Sequence, residues 1–241
     1  MIESLSVVFP VFNEEDYIKK TVTKTLEVIK DITNNYEIII VNDASTDSSG
    51  EIAEGLLKQN PCIKAVHHKK NRKLGGSLKT GFKLASKKFV LYSDIDMPFD
   101  LEEIKRAVNI LFEEKADFVS AYRINRKDEG LKRYIYSMAY NAFIKVLFGL
   151  GVRDINFSFK LIRSDLLKKL DLRSEGSFID AEMLIKARRN RAKIAQFGTS
   201  YYPRQNGSSR LSSLSVILKF FQETIAFRFG FLKDGYEVNR R

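Results

Sequence analysis

A chain of 241 residues, 44% hydrophobic and 29% charged, has the composition of a folded protein and the length to bury a full core. Its single cysteine, Cys62, excludes an internal disulfide and suits a reducing compartment. With 41 basic against 30 acidic residues the net charge is +11, which favours phosphate-rich partners: nucleotides, nucleic acid or an anionic membrane surface.

The first apolar segment, "LSVVFPVF" (5–12), lacks a basic leader and a cleavage site, so no signal peptide is expected. No run reaches the roughly 18 to 20 apolar residues of a membrane-spanning helix. Helical spacing over 14–32 comes next, then "YEIIIV" (36–41), a helix over 47–59, "CIKAVHH" (62–68), a helix over 77–86, "KFVLYSD" (88–94), a helix over 101–114 and "DFVSAY" (117–122). This alternation predicts an α/β fold with a doubly wound, mostly parallel sheet. The strands read as continuous apolar runs, as a sheet covered by helices on both faces requires. Further on, the pattern predicts a helix over 131–149, a strand-like "INFSFKLI" (155–162), a helix near 180–190, a strand over 192–199 and a last helix over 211–229. No repeat or linker interrupts the chain, so one domain over 1–241 is expected.

In a doubly wound sheet, ligands bind beyond the carboxyl ends of the strands. "FNEE" (12–15), "NDASTD" (42–47) and "SDIDMP" (93–98) all fall there. Asp94 and Asp96, two apart on an extended chain, point to one side; they form either a site for a hard divalent cation or merely a strand end that caps the next segment. Asp43 suits a nucleobase or ribose, or else an Asx turn, while Ser45 or Asp47 suits the cap of the next helix. In "KNRKLGGSLKTGF" (70–82), Gly75 and Gly76 open a helix whose amides could approach a phosphate, unless they only make a turn. His67 and His68 have no companion at metal spacing and read as surface or loop residues.

The order "VVFPVFNEE", "IIIVNDASTDSS", "GGSLKTGF", "YSDIDMP" resembles the nucleotide-sugar half of inverting GT-A glycosyltransferases of family 2. "AYR" (121–123), the segment from Arg133 through "RDINFSFKLIRSD", "FIDAEMLIKARR" (178–189) and "YYPRQNGSSRLS" (201–212) resemble the branch containing dolichol-phosphate mannose synthases and polyprenyl-phosphate glucosyltransferases. The resemblance covers nearly the whole chain. It implies a GT-A (Rossmann-like) three-layer fold, with a nucleotide-sugar-binding half over 1–122 and an acceptor-binding half with interfacial helices over 123–241.

Residue by residue, the resemblance implies that Pro10, Phe12, Glu14, Asn42 and Asp43 help to hold the nucleotide, with Gly76 beside its phosphates, and that Asp94 and Asp96 bind Mg2+ or Mn2+ on its diphosphate. It also implies that Arg123, Arg133, Ser137 and Arg204 face donor and acceptor phosphates, and that Arg210 ends the pattern R-x-x-G-x-S-K/R. Two departures stand out: Asn42 replaces the first of two consecutive aspartates, and Pro98 replaces a glutamine that completes the metal shell in many mannose synthases, leaving the third metal position to water, substrate or another side chain.

The implied activity is transfer of a hexose, with inversion, from a nucleotide-diphosphate sugar of GDP-mannose or UDP-glucose type to a polyprenyl (dolichyl) phosphate. It would occur at the cytoplasmic face of a membrane, with peripheral association and room for a membrane partner subunit. A second reading is a family 2 enzyme acting on a sugar or protein hydroxyl, with Asp180 as base; Asp180 and Glu182 lie where hydroxyl-using relatives keep a catalytic carboxylate. A third, a non-enzymatic nucleic-acid binder, accounts for the charge but not for the convergent strand-end clusters, and no nucleic acid is expected as partner. Leu131, Tyr134, Ile135, Met138 and Ala142 form a stripe widened by Phe143, Ile144, Leu147 and Phe148, and Leu214, Ile217, Leu218, Phe221 and Ile225 form another. Both suit either a membrane interface or a packed core. The run "KARRNRAK" (186–193) suits the solvated end of a helix, ahead of membrane or nucleic-acid attraction.

Overall fold

The apolar runs of the first half become strands β1 (Leu5–Val11), β2 (Tyr36–Asn42), β3 (Ile63–His67) and β4 (Phe89–Ser93). They alternate with α1 (Glu15–Lys30), α2 (Ser49–Gln59), α3 (Lys73–Leu84) and α4 (Glu103–Glu113). Next in the chain are β5 (Phe118–Arg123), α5 (Leu131–Phe148), β6 (Phe159–Arg163), α6 (Ser164–Lys169), α7 (Ile179–Arg189), β7 (Ile194–Thr199) and α8 (Leu214–Arg228). This computed structural model describes residues 2–125, 131–202 and 214–230, with 131–133 and 214–219 described by backbone alone.

The strands form one sheet in the order β3-β2-β1-β4-β6-β5-β7, parallel except for β6, which runs antiparallel to both neighbours. Val8 of β1 lies opposite Ile39 of β2 and Tyr92 of β4. Alternate residues feed two apolar layers. Val7, Phe9, Ile38, Ile40 and Leu91 pack with α1, α2 and α4. Val8, Ile39, Val41, Val90 and Tyr92 pack with α3 and the helices of the second half. Burial on both faces explains why the strands show no polar alternation in sequence.

Local differences from the sequence pattern have physical causes. α3 starts at Lys73, four residues before the predicted 77, with the two glycines inside its first turn. β6 starts at Phe159 rather than 155, because Ile155 and Phe157 are buried from a turn, not from a strand. The six-residue α6 is too short to show a helical period and was not predicted. The apolar residues of α5 divide between two surfaces. Tyr140 and Ile144 are buried, with the Tyr140 ring against Phe220 and Phe221 of α8, whereas Ile135, Met138 and Val146 are 52%, 52% and 86% exposed. No helix among the described residues is long and apolar enough to cross a membrane.

Glu37, near the start of β2, staples the sheet at its amino edge. Its carboxylate accepts from the Ser6 hydroxyl at 2.6 Å and the Ser86 amide at 2.6 Å, and pairs with Lys64 at 2.6 Å. Burial pushes its pKa up, but Lys64, Ser6 and Ser86 together hold it below the usual glutamate range. A depressed carboxyl pKa stabilises the fold above the unfolded value near 4.3 and loses that contribution as pH falls through the folded value. Glu37→Gln is therefore expected to cost about 2 kcal/mol at pH 7. In urea melts across pH, the deficit should close on acidification below about pH 4; a deficit constant with pH would exclude a role for the charge.

Candidate active site

Adjacent parallel strands deliver their last residues to one edge, so the ends of β2, β1 and β4 stand side by side. Each end turns through a left-handed non-glycine residue: Asn13 (φ 58°) after β1, Ala44 (φ 59°) after β2 and Met97 (φ 51°) after β4. Such a residue costs about 1 kcal/mol, so it persists only where neighbours over-determine it. Those neighbours are identifiable after β1 and β2. The Asn13 amide donates to Ser45 Oγ at 2.9 Å, and Asn13 Oδ1 accepts from the Thr46 amide at 2.8 Å. Asp47 accepts from the Ser49 amide at 3.0 Å, as a cap of α2, and also from the Glu15 amide at 3.2 Å at the start of α1. The Glu14 amide is bound by Ser49 Oγ at 2.9 Å. Pro10 remains within β1 opposite Val41, and Phe12 and Glu14 lie just beyond the strand, both half-buried.

β4 ends at Ser93, so Asp94 and Asp96 lie in a turn rather than on an extended strand. Ile95 between them is buried in the core, while both aspartates are half-buried. The Thr21 hydroxyl of α1 donates to the Ile95 carbonyl at 2.6 Å and fixes this turn from below. Asp96 also lines a cavity of about 910 Å³ with Tyr17, Lys20, Met97 and Tyr202. No group of three or more acidic, histidine or cysteine ligands forms among the described residues. Two carboxylates with places left for water and phosphate oxygens fit Mg2+ or Mn2+, the ions that the resemblance implies. Pro98 supplies no ligand atom from its side chain; its carbonyl accepts from the Tyr202 amide at 2.9 Å.

At the end of β2, Asp43 is buried, and its Oδ1 accepts from the Arg72 amide at 2.8 Å and from His68 Nδ1 at 2.7 Å. Asn42 Oδ1 accepts from the Ser45 amide at 3.1 Å, and its Nδ2 meets His67 Nδ1 at 3.0 Å. Of the two histidines read as surface or loop residues, His67 is exposed at the end of β3 and His68 lies in the loop just beyond it, with its side chain only 8% exposed.

Behind the aspartate pair lies a buried ionic layer. Asp180 on α7 is buried and pairs with Lys160 of β6 at 3.3 Å, and Lys160 also donates to the Phe157 carbonyl at 2.6 Å. Burial pushes the Asp180 carboxyl up to about 6 against the pull of Lys160, and Asp154 adds to the rise. The Tyr92 phenol is driven well above its usual range by burial and then by Asp180, Asp94 and Asp96, so all three carboxylates act on one buried hydroxyl.

Two of the expected phosphate contacts have protein partners. Arg123 is held by Asp154 in a bidentate pair, Nε to Oδ2 at 2.7 Å and Nη2 to Oδ1 at 2.9 Å, with its side chain 7% exposed between Phe157 and Tyr201. The amide of Gly76, with that of Gly75, donates to the Glu175 carbonyl, at 3.3 and 2.9 Å. A Cβ on Gly75 would meet the Ser174 carbonyl oxygen at 2.3 Å, so the pair exists for close packing. Ser137 sits on α5, its carbonyl accepting from Asn141 Nδ2 at 2.7 Å. Arg204 and Arg210 lie outside the described residues, as does the side chain of Arg133. The run 186–193 is not simply solvated, since Lys186 pairs with Glu182 at 2.7 Å and Arg189 stacks on Phe148 and Phe227.

Thr21, His68, Arg72, Asp154 and Lys160 carry no role in the sequence pattern. Lys160 alone gave a signal, as a charge inside the apolar "FSFKLI".

Comparison with known proteins places this architecture. Glucosyl-3-phosphoglycerate synthase from Mycobacterium tuberculosis, solved with Mn2+, UDP and glucosyl-3-phosphoglycerate, superposes with a TM-score of 0.72 at 19% identity, over 98% of this chain and 84% of its own. S. aureus TarS with UDP-GlcNAc gives 0.65 at 21% identity, over 97% of this chain and 68% of its own. These likenesses establish the GT-A fold. In sequence, the chain is 27% identical to glycosyltransferase AglD of Haloferax volcanii over 89% of its length, which is 35% of the relative. It is 28% identical to the undecaprenyl-phosphate 4-deoxy-4-formamido-L-arabinose transferase of Serratia proteamaculans (90% of this chain, 65% of the relative). It is 25% identical to the dolichyl-phosphate beta-glucosyltransferase of Dictyostelium discoideum (97% and 76%). The chain thus spans from a third to three-quarters of these relatives. The pattern of the glycosyl transferase family 2 matches residues 6–171, more than half of the chain, and the chain belongs to that family.

Proposed function

We propose that the chain transfers a hexose, with inversion, from a nucleotide-diphosphate sugar of UDP-glucose or GDP-mannose type to a polyprenyl phosphate at the cytoplasmic face of a membrane. The observation that carries this reading is the placement of Asp43 after β2 and of Asp94 and Asp96 after β4, at the same sheet edge on either side of β1, one carboxylate for the nucleoside and two for a metal-bound diphosphate. Relatives named for undecaprenyl and dolichyl phosphates support the acceptor, and the exposed Ile135, Met138 and Val146 of α5 support contact with its lipid.

A phosphate oxygen of the acceptor attacks the anomeric carbon while the bond from that carbon to the nucleotide diphosphate breaks, and the electron pair leaves with the diphosphate. Asp94 and Asp96 would hold Mg2+ or Mn2+, which would supply Lewis-acid stabilisation of that leaving group. Thr21, through the Ile95 carbonyl, keeps the two carboxylates in register with the donor. Asp43 accepts from the nucleoside. An acceptor phosphate is already an anion at neutral pH, so no base is required. Asp180 fits that economy: it is buried and paired with Lys160, a poor position for taking a proton from a hydroxyl arriving from solvent. It lines the site and balances Lys160.

Two measurements test this. With Mn2+, sugar nucleotides are expected to raise the melting temperature of the wild type by mass action, and Asp96→Asn should abolish the shift and lower turnover by about 100-fold. Full activity in that variant would remove the metal from the aspartate pair. Asp180→Asn should keep turnover on polyprenyl phosphate within about tenfold, whereas loss of a general base costs about 100-fold or more. Loss on that larger scale, together with transfer to a sugar hydroxyl by the wild type, would establish the hydroxyl reading instead.

A further inference from the structure

Consecutive histidines at the end of β3 grip consecutive residues at the end of β2. His67 lies opposite Asn42 in the parallel ladder, and the His68 amide donates to the Asn42 carbonyl at 2.9 Å. The side chains repeat the pairing, His67 on Asn42 and His68 on Asp43. Chemistry fixes the role of each Nδ1. Asn42 Nδ2 can only donate, so His67 Nδ1 accepts and its Nε2 proton goes to Glu54 at 2.8 Å. The Asp43 carboxylate can only accept, so His68 carries its proton on Nδ1, while the Thr80 hydroxyl holds its Nε2 at 2.9 Å. Gly50 makes room for the outer pair, since a Cβ there would lie 3.0 Å from Asn42 Nδ2.

This grip is selective within one carboxylate. His68 Nδ1 and the Arg72 amide both bond Asp43 Oδ1, and no described group donates to Oδ2. Pinning one oxygen at two points restricts rotation of the carboxylate and leaves the other oxygen to a ligand. We propose that His68 is a positioning residue of the donor site, which presents Asp43 Oδ2 to the nucleoside of the sugar donor. It acts through Asp43 and touches no reacting atom. The inference rests on the reading of Asp43 as a nucleoside contact.

The test is calorimetric titration of UDP and GDP, each with Mn2+, into the full chain and its variants, alongside steady-state kinetics. Asparagine at 68 puts an amide donor near the Nδ1 position, whereas glutamine reaches the Nε2 position and leaves Asp43 without its donor. His68→Gln and His68→Leu are expected to weaken the preferred nucleotide about tenfold and to raise KM for the sugar donor with kcat changed less than about twofold. His68→Asn should recover to within about threefold. In an Asp43→Ala background, His68→Gln should add nothing. Wild-type affinity in His68→Gln, or a loss that adds in full to that of Asp43→Ala, would overturn the positioning role while leaving Asp43 as a contact. Unchanged affinity in Asp43→Ala itself would overturn the reading of Asp43, a different and separable result. A merely structural role for His68 would lower the melting temperature without the selective rise in KM, and would not distinguish asparagine from glutamine.

Discussion

A sheet covered by apolar layers on both faces admits charge only at its two edges, because an ion taken from water into the core loses several kcal/mol of hydration unless it is paired. The distribution of ions in this chain obeys that constraint. Glu37 closes the amino edge with Ser6, Ser86 and Lys64. Asp43, Asp94, Asp96, Arg123 and Asp154 gather at or beyond the carboxyl edge. The site is thus a product of the fold: the same burial that stabilises β1, β2 and β4 drives their polar neighbours to one place.

Lys160 is the exception within a strand, and its position in the one antiparallel strand explains it. β6 enters the sheet at the carboxyl edge, with Phe159 opposite Ser93, so its second residue is still close enough to that edge to meet Asp180. The Asp154–Phe157 turn that leads into β6 holds Arg123 at one end and receives the Lys160 ammonium at the other. A second tie runs through α3. Arg72 donates its amide to Asp43 and its guanidinium to Glu175, which Lys79 also pairs with, and Gly75 and Gly76 let the 174–176 backbone sit directly on the helix. Asp43 and the loop before α7 therefore share one arginine.

The layer order, the parallel strands and the converging edge were legible in sequence because each rests on a local pattern: apolar runs for buried strands, helical spacing for their covers, polar residues where a strand stops. Asp43, Asp94 and Asp96 were legible for the same reason. What is not written locally is the protein partner that a polar group takes. Arg123 ends a strand at the right edge, yet Asp154, 31 residues later, takes its guanidinium. The glycine pair opens a helix as a phosphate cradle would, yet Glu175, a hundred residues on, takes the amides. His68 looked peripheral because its partner Asp43 lies 25 residues earlier. Strand-end position is written locally, whereas partnership depends on the long-range pairing of β2 with β3 and of β4 with β6.

The second half also divides its apolar residues by neighbour. α5 follows β5 in the chain, and its 18 residues extend about 27 Å along its axis. One side of that axis is consumed by α8, where Tyr140, Phe143 and Phe148 meet Phe220, Phe221 and Phe227. The other side keeps Ile135, Met138 and Val146 in solvent, with Lys145 beside them. A helix needed only for packing gains nothing from the second stripe. Exposed apolar side chains with a cation beside them are of the kind that rests against a lipid interface.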